Sequence, residues 1–151
     1  MVKRIVIIMS ILVMLLLTNS TYAGLLEVIV ETDYHHLGDD TINWMHNPSP
    51  EGVIWEKTFI LPPFSASVAT IAFTAAHIQH TDITINGISI AIPIVEPNKV
   101  ADDDHFYRTY VITIPAAAFH PGENKIGFKP LQQTNGNYDD IEFGKVILYL
   151  Q

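Results

Sequence analysis

The feature that most constrains the fold is a strand–turn–strand pattern between Val68 and Ile92. Apolar residues recur at every second position on both sides of Asn86-Gly87, namely Ile71, Phe73, Ile83 and Ile85 before it and Ile88, Ile90 and Ile92 after it. A period of two directs one face of a strand into a core. Asn-Gly favours a type I′ turn, because both central residues of that turn need a positive φ. The pattern predicts a β-hairpin over residues 68–92.

Similar alternation recurs along the chain. It predicts strands over residues 25–32, 53–61, 110–114 and 125–129, and a final strand from Ile141 onward. In that last strand the apolar positions change parity around Gly144, which predicts a β-bulge there. Because the strands are short and turn residues are frequent, and no amphipathic helix of useful length interrupts them, the sequence predicts an all-β, antiparallel β-sandwich.

The N-terminus has the pattern of a secretory signal peptide. Lys3 and Arg4 precede an apolar run over residues 5–17, and Thr21-Tyr22-Ala23 fits a small-residue cleavage site. We expect cleavage after Ala23, with an uncleaved anchor as the alternative. Residues 24–151 then form one domain without cysteine, and hence without disulfides. We expect a secreted or periplasmic protein with no stable membrane insertion after cleavage.

The charge balance narrows the classes of partner. The formal net charge is −8, and loss of Lys3 and Arg4 with the signal peptide takes it to −10. We do not expect nucleic acid as a partner, because affinity for phosphates depends on clustered Lys and Arg, which this sequence lacks. An acidic surface instead favours cations and neutral ligands such as sugars.

Three segments carry a resemblance to a known family. They are Ile83-Thr84-Ile85-Asn86-Gly87, then Ile114-Pro115 followed by Pro121-Gly122-Glu123-Asn124-Lys125-Ile126, and finally Tyr138-Asp139-Asp140-Ile141. Together they resemble galactose-binding-like jelly-roll domains, the sandwich of many carbohydrate-binding modules and discoidin-type domains. The resemblance implies a single jelly-roll domain over residues 24–151. It also implies a non-catalytic binding role, a ligand held by loops at one end, and in many cases a structural calcium.

Three loops offer candidate ligand-binding residues. In residues 33–51, Tyr34 and Trp44 present flat rings with a polar handle, and Asp39 and His46 present hydrogen-bonding groups. Asp104 and Asn137 add polar groups from two later loops. The alternative for the two tryptophans is structural, with Trp44 plugging the sandwich edge and Trp55 lying in the core.

Two kinds of metal site are open to this composition. Asp40, Asp140 and Glu142 are candidate calcium ligands, because Ca²⁺ takes six to eight oxygens and strand pairing can join distant carboxylates. The alternative is that Asp139-Asp140 begins the last strand and places charge at a sheet edge. Seven histidines raise a zinc hypothesis, but no HExxH or comparable ligand spacing supports it.

The sequence therefore favours a binding module with carbohydrate as its ligand. The alternative is a structural or protein-interaction subunit of the cell surface or periplasm. A metal-dependent hydrolase is a weaker alternative, because neither a GxSxG motif nor a cysteine nucleophile occurs.

Overall fold

Nine β-strands make up the regular structure of the described residues, which are 24–41, 46, 49–91 and 107–151 of a computed structural model. The predicted signal peptide, Trp44 and Asp104 lie outside these ranges. The strands are β1 (Leu26–Ile29), β2 (Tyr34–Leu37), β3 (Trp55–Leu61), β4 (Val68–Ala76), β5 (Thr81–Ile85), β6 (Ile88–Ile90), β7 (Arg108–Pro115), β8 (Gly122–Pro130) and β9 (Ile141–Leu150). Short 3-10 turns cover Ile78–His80 and Ala116–Ala118. The prediction of an all-β chain is confirmed.

The strands form two antiparallel sheets. Sheet one has the order β1-β9-β4-β7, and β2 also pairs with β9. Sheet two has the order β3-β8-β5-β6. The chain crosses between the sheets repeatedly, so strands that are neighbours in space are distant in sequence. The predicted β-sandwich is confirmed. No helix among the described residues is long and apolar enough to cross a membrane.

The predicted hairpin over residues 68–92 is correct only at its turn. β5 and β6 pair across Asn86-Gly87, whose φ values of 51° and 81° fit a type I′ turn. Residues 68–76, however, belong to sheet one. The chain leaves that sheet at His77, whose φ of 58° is left-handed, and a 3-10 turn carries it into sheet two. One apolar run in the sequence therefore contributes strands to both layers of the sandwich.

β9 is the strand on which sheet one is assembled. Its second half pairs with β1, its first half pairs with β2, and β4 runs along its other side. The register of β9 against β4 shifts between Gly144 and Ile147, and Lys145 in this interval has a φ of 54°. The predicted bulge is thus confirmed, with Lys145 rather than Gly144 in the left-handed conformation. Gly144 serves a different purpose, because a Cβ at this position would overlap the Asp33 carbonyl.

The core lies between the sheets and is closed by aromatic rings. Phe128 of β8 stacks on Phe143 of β9, with ring centroids 4.1 Å apart and planes 9° apart. Trp55 meets both rings edge-on and packs against the core, which confirms its structural role. Phe73 of β4 adds a further edge contact to Phe128. These rings join the two sheets at the end of the sandwich where β9 begins.

Candidate functional site

Most of the predicted site residues that the structure describes lie around β2 and the start of β9. β2 had been expected to be irregular loop, because Tyr34-His35-His36-Leu37 lacks apolar alternation. Antiparallel pairing places Tyr34 opposite Gly144 and His36 opposite Glu142. The pairing therefore brings the early segment beside the start of the final strand.

Three aromatic rings from separate segments form the aromatic group of this site, which consists of Tyr34, His46 and Tyr107. Tyr34 and His46 stack with centroids 3.9 Å apart and an interplanar angle of 18°. Tyr107 meets both edge-on, at 5.8 Å from Tyr34 and 4.9 Å from His46. His46 is exposed and the two tyrosines are half-buried. One face of the Tyr34 ring is covered by His46, so a sugar stacking on that side would meet His46 first.

A buried carboxylate lies in contact with the aromatic group. Glu142 is fully buried, and the Tyr107 hydroxyl donates a hydrogen bond to its Oε2. His36, which is also fully buried, lies opposite Glu142 in the β2–β9 register. Because paired residues in antiparallel strands share a face, Glu142 and His36 lie on the same side of sheet one as Tyr34.

His36 connects this pair to the edge of the site through Asp140. The His36 Nε2 atom lies 3.1 Å from Asp140 Oδ1 and donates to it. The Asp40 backbone N–H donates to the same oxygen at 3.2 Å. Burial raises the pKa of Asp140 above its ordinary value, and these two hydrogen bonds oppose the rise. Gly38 makes the arrangement sterically possible, because a Cβ at residue 38 would overlap the Asp140 carboxylate.

Asp39, Asp40 and Asp140 form the acidic group of the site. Each offers one carboxylate oxygen, and these oxygens all lie within 4.8 Å of one another. The acidic group also accepts hydrogen bonds from the loop before β9. Asn137 Nδ2 donates to Asp40 at 3.1 Å, and the Tyr138 N–H donates to Asp39 at 3.2 Å. Three carboxylates at this spacing are hard oxygen ligands of the kind that Ca²⁺ prefers.

The structure thus brings together most of the residues predicted from sequence. Tyr34 and His46 are in direct contact, and Asp39, Asp40, Asn137 and Asp140 surround one loop junction. Glu142 lies apart from the acidic group, in contact with Tyr107, and Asp39 takes its place among the clustered carboxylates. His36 and Tyr107 were not among the predicted ligand-binding or calcium residues, although His36 is one of the histidines behind the zinc hypothesis and Tyr107 ends a loop predicted to lie at the binding end. The position of His36 follows from the β2–β9 pairing.

A second polar cluster lies on the other side of β2. His35 Nδ1 is 2.8 Å from Glu51 and its Nε2 is 3.3 Å from Glu31, which also accepts from Lys57 at 3.3 Å. Burial by itself would raise the pKa of Glu31. Hydrogen bonds from the Asp33 and Thr32 N–H groups, and from the Lys57 and His35 side chains, lower that pKa to about 2. The cluster ties β1, β2 and β3 together and keeps Glu31 ionised.

Comparison with known proteins supports the fold. No protein-family description matches the chain, and no curated protein matches its sequence. Among solved structures, it is similar to part of a β-porphyranase of glycoside hydrolase family 86 from the human gut bacterium Bacteroides plebeius, with 10% identity and a TM-score of 0.50. That match covers 83% of this chain but only 20% of the porphyranase, so this chain spans about a fifth of the enzyme's length.

A family 35 carbohydrate-binding module from an environmental isolate also matches, with 14% identity and a TM-score of 0.44. This match covers 85% of the chain and 93% of the module. At these identities the likeness to solved structures is one of fold alone. The porphyranase match agrees with the predicted β-sandwich fold.

Proposed function

We propose that this protein is an exported, non-catalytic carbohydrate-binding domain whose site is formed by the aromatic group and the acidic group. The observation that carries the proposal is that both groups border the short strand β2. Tyr34, which stacks on His46, begins this strand, and Asp39 and Asp40, which cluster with Asp140, follow its end. Sugars present apolar faces and hydroxyl edges, so aromatic rings next to hydrogen-bonding groups suit them.

The chemistry of the carboxylates favours binding over catalysis. Asp140 accepts from His36 and from the Asp40 N–H, Glu142 accepts from Tyr107, and Asp39 accepts from the Tyr138 N–H. These carboxylates thus serve as acceptors in the framework of the site. Glycoside hydrolysis instead needs one acid to donate a proton and a second to face it across the scissile bond. In the proposed role, Asp39 and Asn137 bind sugar hydroxyls and the aromatic rings bind the apolar face of the sugar.

The fold is compatible with this role. The similar segment belongs to a β-porphyranase of glycoside hydrolase family 86. Sandwich domains of this kind serve many functions, so the proposed function rests on the residues of the site and not on the fold. Trp44 and Asp104 remain predicted ligand contacts in segments adjoining the aromatic group in sequence.

Thermal unfolding and calorimetric titration with a panel of soluble glycans test the proposal. A glycan that binds only the folded state raises the midpoint of unfolding by mass action. His46→Ala and Trp44→Ala should each weaken binding about twofold to tenfold, since a stacked ring contributes about 0.5–1.5 kcal/mol beyond the area that it buries. His120→Ala is the matched control, because His120 is an exposed histidine that contacts Pro121, far along the chain from the site. Absence of binding to every glycan, or equal loss in the control, would reject the proposal.

Calcium remains a separate part of the proposal. If Ca²⁺ binds at Asp39, Asp40 and Asp140, titration with Ca²⁺ raises the unfolding midpoint and EDTA reverses the change. Asp39→Asn should abolish the calcium effect. A glycan response that is unchanged by EDTA would show that the sugar site works without the ion, whereas no response to Ca²⁺ in the wild type would remove calcium from the proposal.

Export is tested independently of the ligand. We expect the protein in the extracellular or periplasmic fraction with Gly24 as its first residue, because the predicted cleavage follows Ala23. N-terminal sequencing of the exported protein measures this directly. A product that keeps residues 1–23 and sediments with membranes would instead support the uncleaved anchor.

A further inference from the structure

Asparagine is followed by glycine at two places in this chain, Asn86-Gly87 and Asn135-Gly136. In such a pair the backbone nitrogen of the glycine can attack the side-chain amide of the asparagine, because glycine has no Cβ to hinder the approach. The two pairs have the same local sequence but different surroundings. The fold therefore decides which of them can react.

The Asn86 side chain is fixed by three hydrogen bonds. Its Nδ2 donates to the Ala118 carbonyl at 2.9 Å and to Asn124 Oδ1 at 3.0 Å, and its Oδ1 accepts from the Lys125 N–H at 2.9 Å. Asn86 is half-buried, and its own N–H donates to the Lys125 carbonyl at 2.8 Å. Attack by the Gly87 nitrogen requires the Asn86 side chain to leave these partners, so the fold protects this pair.

The Asn135 side chain is exposed and is held at one of its two polar atoms. Its Oδ1 accepts from the Asn137 N–H at 3.0 Å, and its Nδ2 makes no hydrogen bond within the described part of the chain. The bond from Asn137 withdraws electron density from the side-chain carbonyl and makes Asn135 Cγ more electrophilic. The amide nitrogen is free to leave as ammonia.

The Gly136 nitrogen, which would be the nucleophile, makes a hydrogen bond that opens easily. It donates to the Gln133 carbonyl at 3.0 Å within an exposed turn. Short-range bonds in exposed loops open at a lower cost in free energy than the hydrogen bonds of a sheet. Gly136 has a φ of 90°, and apart from its chain neighbours no heavy atom lies within 4 Å of the place of a Cβ. The backbone therefore has room to turn the nitrogen towards Asn135.

We infer that Asn135 is a site of spontaneous deamidation and that Asn86 is protected from the same reaction. The Gly136 nitrogen bonds to Asn135 Cγ, the Cγ–Nδ2 bond breaks, and the proton of the attacking nitrogen leaves with the amide as ammonia. Water then opens the resulting succinimide. Hydrolysis at Cγ gives aspartate, and hydrolysis at the backbone carbonyl carbon gives isoaspartate. Either product has a carboxylate in place of the neutral amide.

The modification changes the candidate ligand site, a consequence that rests on the function proposed above. Residues of the same loop hold two of its carboxylates, since Asn137 Nδ2 donates to Asp40 and the Tyr138 N–H donates to Asp39. Isoaspartate lengthens the backbone by one carbon atom and displaces these donors. The new carboxylate also adds negative charge to a loop that contacts the acidic group.

Mass spectrometry of peptides from the purified protein tests the inference after incubation at mildly alkaline pH, which favours deprotonation of the Gly136 nitrogen. We expect the peptide that contains Asn135 to gain the mass difference between a hydroxyl and an amino group. It should also separate into aspartate and isoaspartate forms. Asn86 should convert about tenfold or more slowly, because its reactive conformation requires three hydrogen bonds to break.

Two controls separate the effect of the fold from that of the sequence. In urea the hydrogen bonds of the fold are lost, so the two pairs should convert at similar rates. Gly136→Ala should slow conversion of Asn135 severalfold, because a Cβ hinders the attacking nitrogen, whereas Gly87→Ala should leave that rate unchanged. An unmodified Asn135, an Asn86 that converts as fast in the folded protein, or a difference that persists in urea would each overturn the inference.

The effect on the site is measured with the isoaspartate fraction, separated by ion exchange, against Asn135→Asp. This variant carries the same charge on a normal backbone, so the isoaspartate fraction should unfold at a lower temperature. It should also bind more weakly any glycan that the unmodified protein binds. Equal unfolding midpoints would show that the loop contacts survive and would overturn the predicted change in the site. If the unmodified protein binds no glycan, the proposed function fails, while conversion at Asn135 is decided by mass spectrometry alone.

Discussion

Gly38 and Glu31 are the single residues on which the geometry around β2 depends most. Gly38 allows the Asp140 carboxylate to approach the β2 backbone, and its φ of +150° is one that residues with a Cβ rarely adopt. Glu31 is buried yet ionised, because four donors surround its carboxylate. Each residue contributes through a local interaction that a single substitution removes.

Gly38→Ala should destabilise the fold by about 2–4 kcal/mol and displace Asp140 from His36, because the new Cβ overlaps the carboxylate. Urea unfolding measures the loss. Gly136→Ala is the control, since Gly136 also has a positive φ of 90° but open space around it, and should cost only about 1 kcal/mol. Equal costs at the two positions would contradict a steric role for Gly38.

Glu31→Gln should lower stability at pH 7 by up to about 3 kcal/mol, and this difference should depend on pH. The folded-state pKa of about 2 lies below the ordinary value of 4.5, so the ionised form stabilises the fold. That stabilisation is complete above pH 4.5 and is lost as the pH falls through 2. Urea unfolding at neutral pH and again below pH 3 checks this.

Glu123→Gln is the control for Glu31→Gln, because Glu123 is exposed. It should change stability by less than about 0.5 kcal/mol at either pH. If the deficit of Glu31→Gln is the same at neutral and acidic pH, the charge of Glu31 is not what stabilises the β1–β2–β3 junction.

β9 is the element that decides how the two halves of sheet one meet. Before the bulge, Ile141 and Phe143 face the core, and after it Val146, Leu148 and Leu150 do. Without the extra residue, strand alternation would send one of these sets to the outer face. The bulge therefore lets one strand bury both of its apolar halves while β2 and β1 pair along the same edge.

Deleting Lys145 should prevent cooperative folding, because the change in register would turn Ile141 and Phe143 away from the core. Lys145→Gly should keep the fold and be neutral or stabilising by up to about 1 kcal/mol, since glycine adopts the φ of 54° without strain. Thermal unfolding followed by near-UV circular dichroism distinguishes the two. A deletion variant that unfolds cooperatively at the wild-type midpoint would show that the bulge is dispensable.

At the scale of the whole molecule, the acidic surface acts on any ligand that approaches the site. The net charge is −8, and the described site contains Asp39, Asp40, Asp140 and Glu142 with Lys145 as the nearby cation. The resulting field repels polyanions and leaves neutral sugars unaffected. The net charge of the domain, and not only its direct contacts with a ligand, therefore affects which ligands can bind.

We expect neutral glycans to bind more tightly than glycans of the same backbone that carry carboxylate or sulfate groups. The difference should be about tenfold at low ionic strength and should shrink as salt screens the repulsion. Isothermal titration at two salt concentrations measures it. A preference for the anionic glycan that strengthens at low salt would contradict the prediction and point to a cationic contact in the site.

Local sequence patterns are enough to predict the class of fold and most of the residues at the candidate site. Three of these patterns involve residues only one or two positions apart: the alternation of apolar residues, the Asn86-Gly87 turn and the parity change in β9. They can therefore be predicted without knowledge of the partner strands. Tyr34, Asp39, Asp40 and Asp140 were identified in the same way, as chemically suited side chains in loops or at a strand start.

Which of these residues meet depends on pairing between strands that are distant in sequence. Tyr34-His35-His36-Leu37 lacks alternation, and it becomes a strand because the first half of β9 offers it unpaired backbone groups. The same pairing brings His36 beside Asp140 and leaves Glu142 apart from the acidic group, where the Tyr107 hydroxyl donates to it. The run over residues 68–85 divides between two sheets for a similar reason. These contacts depend on the register between strands about a hundred residues apart. That register is set by the hydrogen bonds and the buried side chains of both strands, so neither strand predicts it alone.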